Sequence, residues 1–95
     1  MLQKALEDNV SLFYKAILQL ETEEECRLFF DDLCTGKEIK DMVQRLVVAK
    51  MLMENKNYAE IVESTGASTA TVSRVKRSSE NYRIALRRLE QAEER

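Results

Sequence analysis

The 95-residue chain contains no histidine, proline or tryptophan, and only two cysteines and two glycines. A four-ligand zinc site would need carboxylates beside Cys26 and Cys34, so we expect no metal site and two small buried thiols instead. The sequence offers no nucleophile with a matching general base and no glycine-rich phosphate loop. We therefore expect no catalytic residue and no enzyme. The lack of proline, with 44% hydrophobic and 34% charged residues, favours a mostly helical chain.

Long apolar runs are also missing from the sequence. None approaches the roughly eighteen residues that cross a bilayer, and the N-terminus does not show the basic and then apolar pattern of a signal peptide. We therefore expect no membrane partner and a cytoplasmic location. The length predicts one domain, residues 1–95.

Charge is unevenly distributed, although the net charge is only −2. Residues 1–33 hold three basic and eight acidic side chains, whereas residues 34–95 hold twelve basic and nine acidic ones. A basic patch acts within a Debye length of about 8 to 10 Å, so it can attract a polyanion in a chain that is acidic overall. The charge therefore favours a nucleic-acid partner for the C-terminal part of the chain.

Residues 58–77 have the layout of a helix-turn-helix. A short amphipathic segment precedes Gly66, which can adopt the left-handed backbone that ends a helix. Ser68 can then cap a second helix. The apolar positions that would face one another across the turn are Ile61, Val62, Val72 and Val75. The spacing predicts two short helices that share one small core.

The outward side of the second predicted helix has short hydroxyl side chains followed by cations, with no acid among them. Short hydroxyls allow a close approach to DNA, and arginine can bind either a guanine edge or a phosphate. We predict base contacts for the first four of the following residues and mainly phosphate contacts for the last three: Ser68, Thr69, Thr71, Ser73, Arg74, Lys76 and Arg77. A solvated helix with a basic end is the alternative interpretation.

Apolar residues recur at helical spacing along residues 2–54. The first stripe comprises Leu2, Leu6, Val10, Phe13, Ile17 and Leu20, and a second helix would bury Cys26, Phe29, Phe30 and Leu33. Later helices are expected to begin at the caps Thr22, Thr35, Asn57 and Ser78-Ser79. The first helix has more apolar surface than its own later helices would cover, so residues 2–54 are predicted to form the interface of a homodimer.

Three stretches together resemble a known family: Thr22 to Cys34, Gln44 to Leu46, and Gly66 to Val75. They are similar to the YerC/YecD branch of the Trp repressor-like proteins, over roughly residues 12–78. The resemblance implies an all-α, six-helix domain that forms an intertwined homodimer. It also implies that the two recognition helices enter successive major grooves of duplex DNA.

The resemblance further implies a ligand pocket. The Trp repressor clasps tryptophan between two arginines, and these positions fall on Arg45 and Arg74, with Thr35 and Ser78 at other positions of the pocket. Val75 stands where that repressor has a glycine, and its branched side chain would crowd an indole. We therefore expect neither tryptophan nor any other cofactor.

Residues and resemblance together predict a sequence-specific, DNA-binding transcriptional regulator, a repressor that acts as a homodimer on double-stranded DNA. The alternative is a protein–protein adaptor that retains the helix-turn-helix only as a packing unit. The net negative charge and the broad apolar stripe of the first helix favour that alternative.

Overall fold

Six α-helices make up most of residues 2–94, the part of the chain that the computed structural model describes. They are α1 (Leu2–Ile17), α2 (Glu23–Leu33), α3 (Gly36–Met53), α4 (Tyr58–Thr65), α5 (Thr69–Arg77) and α6 (Ser79–Glu93). No strand occurs in that range, which confirms the predicted all-α, six-helix fold. Among these helices, none combines the length and apolarity that a membrane span requires.

The chain divides into two compact units, one up to Ile39 and one from Lys40 onwards. All buried residues within the described range belong to the second unit. They are Val48, Ala49, Ile61, Ala67, Val72, Val75 and Leu86. Because these residues come from α3, α4, the turn, α5 and α6, the hydrophobic core of the second unit is built around the helix-turn-helix.

The first unit has apolar side chains but buries none of those described. On α1, Leu2 is 87% exposed and Leu6 is 55% exposed, so the first part of the predicted stripe is uncovered in the single chain, whereas Ile17 and Leu20 are half-buried. The helix ends at Ile17, earlier than the stripe suggested. Leu20 lies in the turn that follows, where its N–H donates to the carbonyl of Ile17 at 3.1 Å.

The positions that we expected α2 to bury are only partly covered. Cys26, Phe29 and Phe30 are half-buried, and Leu33 is exposed. The two phenylalanine rings contact each other edge to face, with their centroids 5.4 Å apart. Cys26 and Cys34 are both free, half-buried thiols, so the prediction that they are buried is wrong for the single chain.

Short-range hydrogen bonds begin α2 and α3. Thr22 accepts the N–H of Glu25 at 3.0 Å, but the Glu25 carboxylate accepts the N–H of Glu21 at 3.3 Å, one residue before the expected donor. At α3 the bonds are reciprocal: Thr35 N–H donates to Glu38 Oε1 at 2.8 Å, and Glu38 N–H donates to Thr35 Oγ1 at 3.1 Å. A complete capping box therefore fixes the start of α3.

Ser78 precedes α6 without capping it, so the predicted cap at this position is wrong. Its hydroxyl donates to the Arg74 carbonyl at 3.1 Å, and its N–H donates to the Val75 carbonyl at 3.2 Å. No side chain caps α6. Because Ser78 is the single residue between the two helices, its hydrogen-bonding groups satisfy the carbonyls that end α5.

Gly66 ends α4 in the left-handed conformation that the sequence predicts, with φ 72° and ψ 5°. Its N–H donates to the Val62 carbonyl at 2.9 Å. Among the described residues other than Gly66 and its two chain neighbours, no atom lies within 4 Å of the place where a Cβ would stand. Glycine is therefore required by the backbone conformation and not by lack of space.

Thr65 and Gln44 hold the turn in place. The Thr65 hydroxyl donates to the Ile61 carbonyl at 2.7 Å and accepts the N–H of Ala67 at 3.1 Å. The Gln44 side chain donates to the Thr65 carbonyl at 3.1 Å. The end of α4 is thus bonded both to the turn and to α3, which holds the start of the turn in place.

Replacing Gly66 with alanine should lower the free energy of unfolding by about 1 kcal/mol, because an L-residue is strained in the left-handed region. Gly66→Asn should cost less, since asparagine adopts this conformation more readily. Urea unfolding followed by circular dichroism measures both. An equal loss for the two variants would contradict the explanation, because neither Cβ meets a neighbouring atom.

The Thr35 backbone N–H, and secondly the Thr35 side chain, lower the pKa of the Glu38 carboxyl below its ordinary value of 4.5. The hydrogen bonds of the Glu38 carboxylate to Thr35 therefore stabilise the fold fully above the unfolded pKa of Glu38. This stabilisation is lost as pH falls through the folded pKa. Thr35→Ala should raise the folded pKa part of the way back, as measured by NMR titration of the carboxyl carbon. Thr22→Ala is the matched control and should leave Glu38 unchanged; a pKa that moves equally in both variants would refute the assignment.

Candidate nucleic-acid interface

The inner side of α5 is fixed by two valines. Val72 is fully buried and Val75 is 1% exposed, in the same cluster as Ile61 of α4. Val62 packs against this cluster and is half-buried. The structure therefore confirms the predicted core between the two short helices, and it determines which side of α5 points outward.

The opposite side of α5 is the candidate reading face. At about 100° per residue, the side chains that point away from the two valines are Ala70, Ser73, Arg74 and Arg77. Ala70, Arg74 and Arg77 are exposed, and Ser73 is half-buried. Ala70 was not among the predicted contacts, because that prediction considered only polar groups. Its methyl is near the middle of the reading face and could contact a thymine methyl.

The hydroxyls at the start of α5 are engaged in capping. The Ser68 hydroxyl accepts the N–H of Thr71 at 3.1 Å and donates to the Thr71 hydroxyl at 3.0 Å. Ser68 is exposed and Thr71 is half-buried. Thr69 is exposed in the first turn, beside the free backbone N–H groups of the helix N-terminus, where phosphates bind favourably.

Two of the three residues that were predicted to bind phosphate, Lys76 and Arg77, have different surroundings. Lys76 Nζ lies 5.7 Å from the centroid of the Tyr58 ring, a cation–π contact that links α5 to the start of α4. Arg77 is exposed on the reading face. Lys76 thus points to the flank of the helix-turn-helix, whereas Arg77 points outward.

Three cations, Arg74, Lys76 and Arg77, occupy the last turn of α5, and the helix contains no acidic residue. Positive charge at a helix C-terminus offsets the partial negative charge of the free carbonyls, so part of this pattern has a structural use. Offsetting the charge of these carbonyls does not require cations on several sides of the helix. Their placement on the reading face and on one flank gives α5 a positive surface toward any polyanion that approaches it.

The residues expected at a ligand pocket lie on different elements. The Thr35 hydroxyl belongs to the cap of α3, and Ser78 bonds the Arg74 carbonyl at the end of α5. Arg45 is half-buried on α3. Val75, which was expected to crowd an indole, has its side chain in the hydrophobic core of the helix-turn-helix. The expectation that tryptophan is not a ligand stays a prediction.

Comparison with known proteins places the chain in a family. The family model described as "Trp repressor protein" matches residues 8–90. The uncharacterized protein YerC of Bacillus subtilis (strain 168) is 50% identical over 84 residues, which cover 84% of this chain and 81% of YerC. The residues that the family model matches include the helix-turn-helix and most of the residues on either side of it.

Two solved structures are similar to the chain over nearly its whole length. A Staphylococcus aureus protein, provisionally identified as a Trp repressor, superposes with a TM-score of 0.83 and 48% identity, over 87% of each chain. A TrpR-like protein from Eubacterium eligens ATCC 27750 gives a TM-score of 0.82 and 45% identity, over 86% of this chain and 89% of that one. The chain therefore belongs to the Trp repressor family.

Proposed function

We propose that the protein is a transcriptional regulator that binds specific sites in duplex DNA as a homodimer, with α5 as its recognition helix. Membership of the Trp repressor family supports a helix-turn-helix regulator of the DNA-binding class. The observation that carries the proposal is the reading face of α5. It has small side chains and cations without a single acid, and it follows a turn that Thr65 and Gln44 hold by hydrogen bonds.

The reading face suits a major groove because its side chains are small near the start of α5 and long near its end. Ala70 and Ser73 allow the helix backbone to approach the base edges, where a methyl and a hydroxyl can each make a contact. Arg74 is long enough to bind a guanine edge or a phosphate. Arg77 and Thr69, towards the two ends of the helix, are placed to hold the two sides of the groove through phosphates.

A second copy of the chain is the proposed cover for the first unit. No described residue of that unit is buried, and α1 has an apolar face in which Leu6, Val10 and Phe13 are 55%, 45% and 37% exposed. Exposed apolar area of this kind is typical of an interface between chains. Two copies related by a twofold axis would also present two α5 helices, as a near-palindromic site requires.

We further propose that the regulator represses transcription and acts without tryptophan. A dimer that occupies a site over one to two turns of DNA can exclude other proteins from the same duplex, which needs no further activity of the chain. The alternative, an adaptor between proteins, is favoured by the same uncovered face of α1 and by the net charge of −2. The two functions differ in whether duplex DNA is bound.

Selection from a pool of random duplexes at moderate salt, with sequencing of the retained DNA, tests the proposed function. We expect a near-palindrome whose half-sites are about one helical turn apart, because each α5 of a dimer enters one major groove. If a folded dimer enriches no sequence and instead binds a different protein in a salt-insensitive manner, the regulator is contradicted and the adaptor is supported.

The homodimer is tested by the mass of the protein in solution. At micromolar concentration the wild-type mass should be about twice the 11.0 kDa of one chain. Leu6→Lys places a charge in the apolar face of α1 and should shift the equilibrium toward monomer by at least tenfold, whereas Asp8→Lys on the opposite face of α1 should not. Sedimentation equilibrium measures both. Equal dimerisation of the two variants would show that this face of α1 is not the interface.

A further inference from the structure

A recess of about 410 Å³ opens beside the helix-turn-helix, between the loop that joins α3 to α4 and the adjoining parts of α5 and α6. Its polar lining includes Asn55, Lys56, Asn57, Lys76, Ser79 and Arg83, and the Tyr58 ring forms part of the wall. Three of the eight lining residues are cations and none is an acid. We name this cavity the basic recess. Lys56 and Arg83, two of its three cations, lie outside α5.

We infer that the basic recess holds one backbone phosphate of the bound duplex, outside the base pairs that α5 reads. The inference rests on the proposed function, because it requires DNA on α5. It adds Lys56 and Arg83 to the interface, and it gives Lys76 a role separate from that of the reading face.

Local backbone geometry fixes the position of Lys56. Asn55 adopts the left-handed conformation, with φ 61°, directly after the end of α3. The N–H of Asn55 then donates to the Leu52 carbonyl and the N–H of Lys56 to the Met51 carbonyl, both at 3.1 Å. This is the hydrogen-bond pattern of a Schellman motif. Lys56 therefore begins its side chain at a defined point on the rim of the recess.

The other two cations are positioned by different elements. Lys76 extends from the last turn of α5 to the Tyr58 ring, 5.7 Å from its centroid. Arg83 lies on α6, one turn after Ser79. Cations from three separate segments of the chain thus line one cavity, and an anion bound there would be attracted by all three.

The geometry favours a phosphate of the duplex over a free anion. Lys56, Lys76 and Arg83 are all exposed, so the recess is open to a large ligand. Lys76 belongs to the helix that is proposed to enter the major groove, and a DNA strand at the edge of that groove passes the flank of the helix. The adjoining cavity shares Ser79 and Arg83 but also contains Glu80, whereas no acidic residue lines the basic recess.

The test compares the salt dependence of DNA binding for Lys56→Ala, Arg83→Ala and the wild type on the selected site. Loss of one phosphate contact lowers the slope of log K against log[salt] by about 0.9. Because the three cations of the recess share one phosphate, we expect a decrease of up to that size in each variant, with the same loss of affinity for the selected site and for an unrelated duplex. Arg88→Ala is the matched control, because Arg88 is exposed on α6 and does not line the recess.

A second experiment locates the DNA phosphate that the recess is inferred to hold. Single methylphosphonate substitutions are scanned through the DNA that flanks the selected site. One substitution should weaken wild-type binding and have no further effect on the double variant of Lys56 and Arg83. Circular dichroism checks that each variant is folded, and the methylphosphonate coupling separates a lost contact from a general loss of stability.

The outcomes separate this inference from the proposed function. Failure of the wild type to bind any duplex would overturn both. If the wild type binds DNA and the slopes of log K against log[salt] are unchanged in Lys56→Ala and Arg83→Ala, only the inference that the recess holds a DNA phosphate is overturned. Saturable binding of inorganic phosphate to DNA-free protein, seen in the NMR signals of Lys56 and Arg83 together with unchanged slopes, would show that the recess serves a free phosphate compound instead.

Discussion

The helix-turn-helix depends on the burial of a few branched side chains between two helices that are too short to persist alone. The α4 helix has 8 residues and α5 has 9, fewer than the roughly 12 to 15 at which an isolated helix becomes even marginally stable in water. Ile61, Val72 and Val75 are buried together with side chains from α3 and α6. The orientation of the reading face therefore follows from this packing and not from the helical propensity of α5.

Features that depend on neighbours in the sequence could be predicted. The caps at Thr35 and Asn57 and the left-handed Gly66 involve hydrogen bonds over three or four residues, so the sequence contains both partners at a fixed spacing. The face of α5 also followed from local spacing, because Val72 and Val75 are three residues apart. Ser78 was mispredicted because its hydroxyl has two possible local partners, and only the closeness of α5 to α6 decides between them.

Contacts between distant segments could not be predicted. Gln44 bonds the turn at a separation of 21 residues, and Lys76 reaches the ring of Tyr58. The basic recess combines cations from three elements, which become neighbours only after the core of the second unit has formed. Helical periodicity shows which apolar residues share a face of a helix, but not whether that face is covered. The partial exposure of Phe29 and Phe30 therefore could not be predicted from the sequence either.

None of the described side chains of the first unit is buried, and this has a consequence for how the protein responds to its own concentration. Stability that comes from a second chain rises with protein concentration, by about 1.4 kcal/mol for each tenfold increase in a tight regime. Under the proposed homodimer, the amount of paired protein would grow faster than in proportion to the number of chains. Expression level could then set the sharpness of the regulatory response, even in the absence of a small-molecule signal.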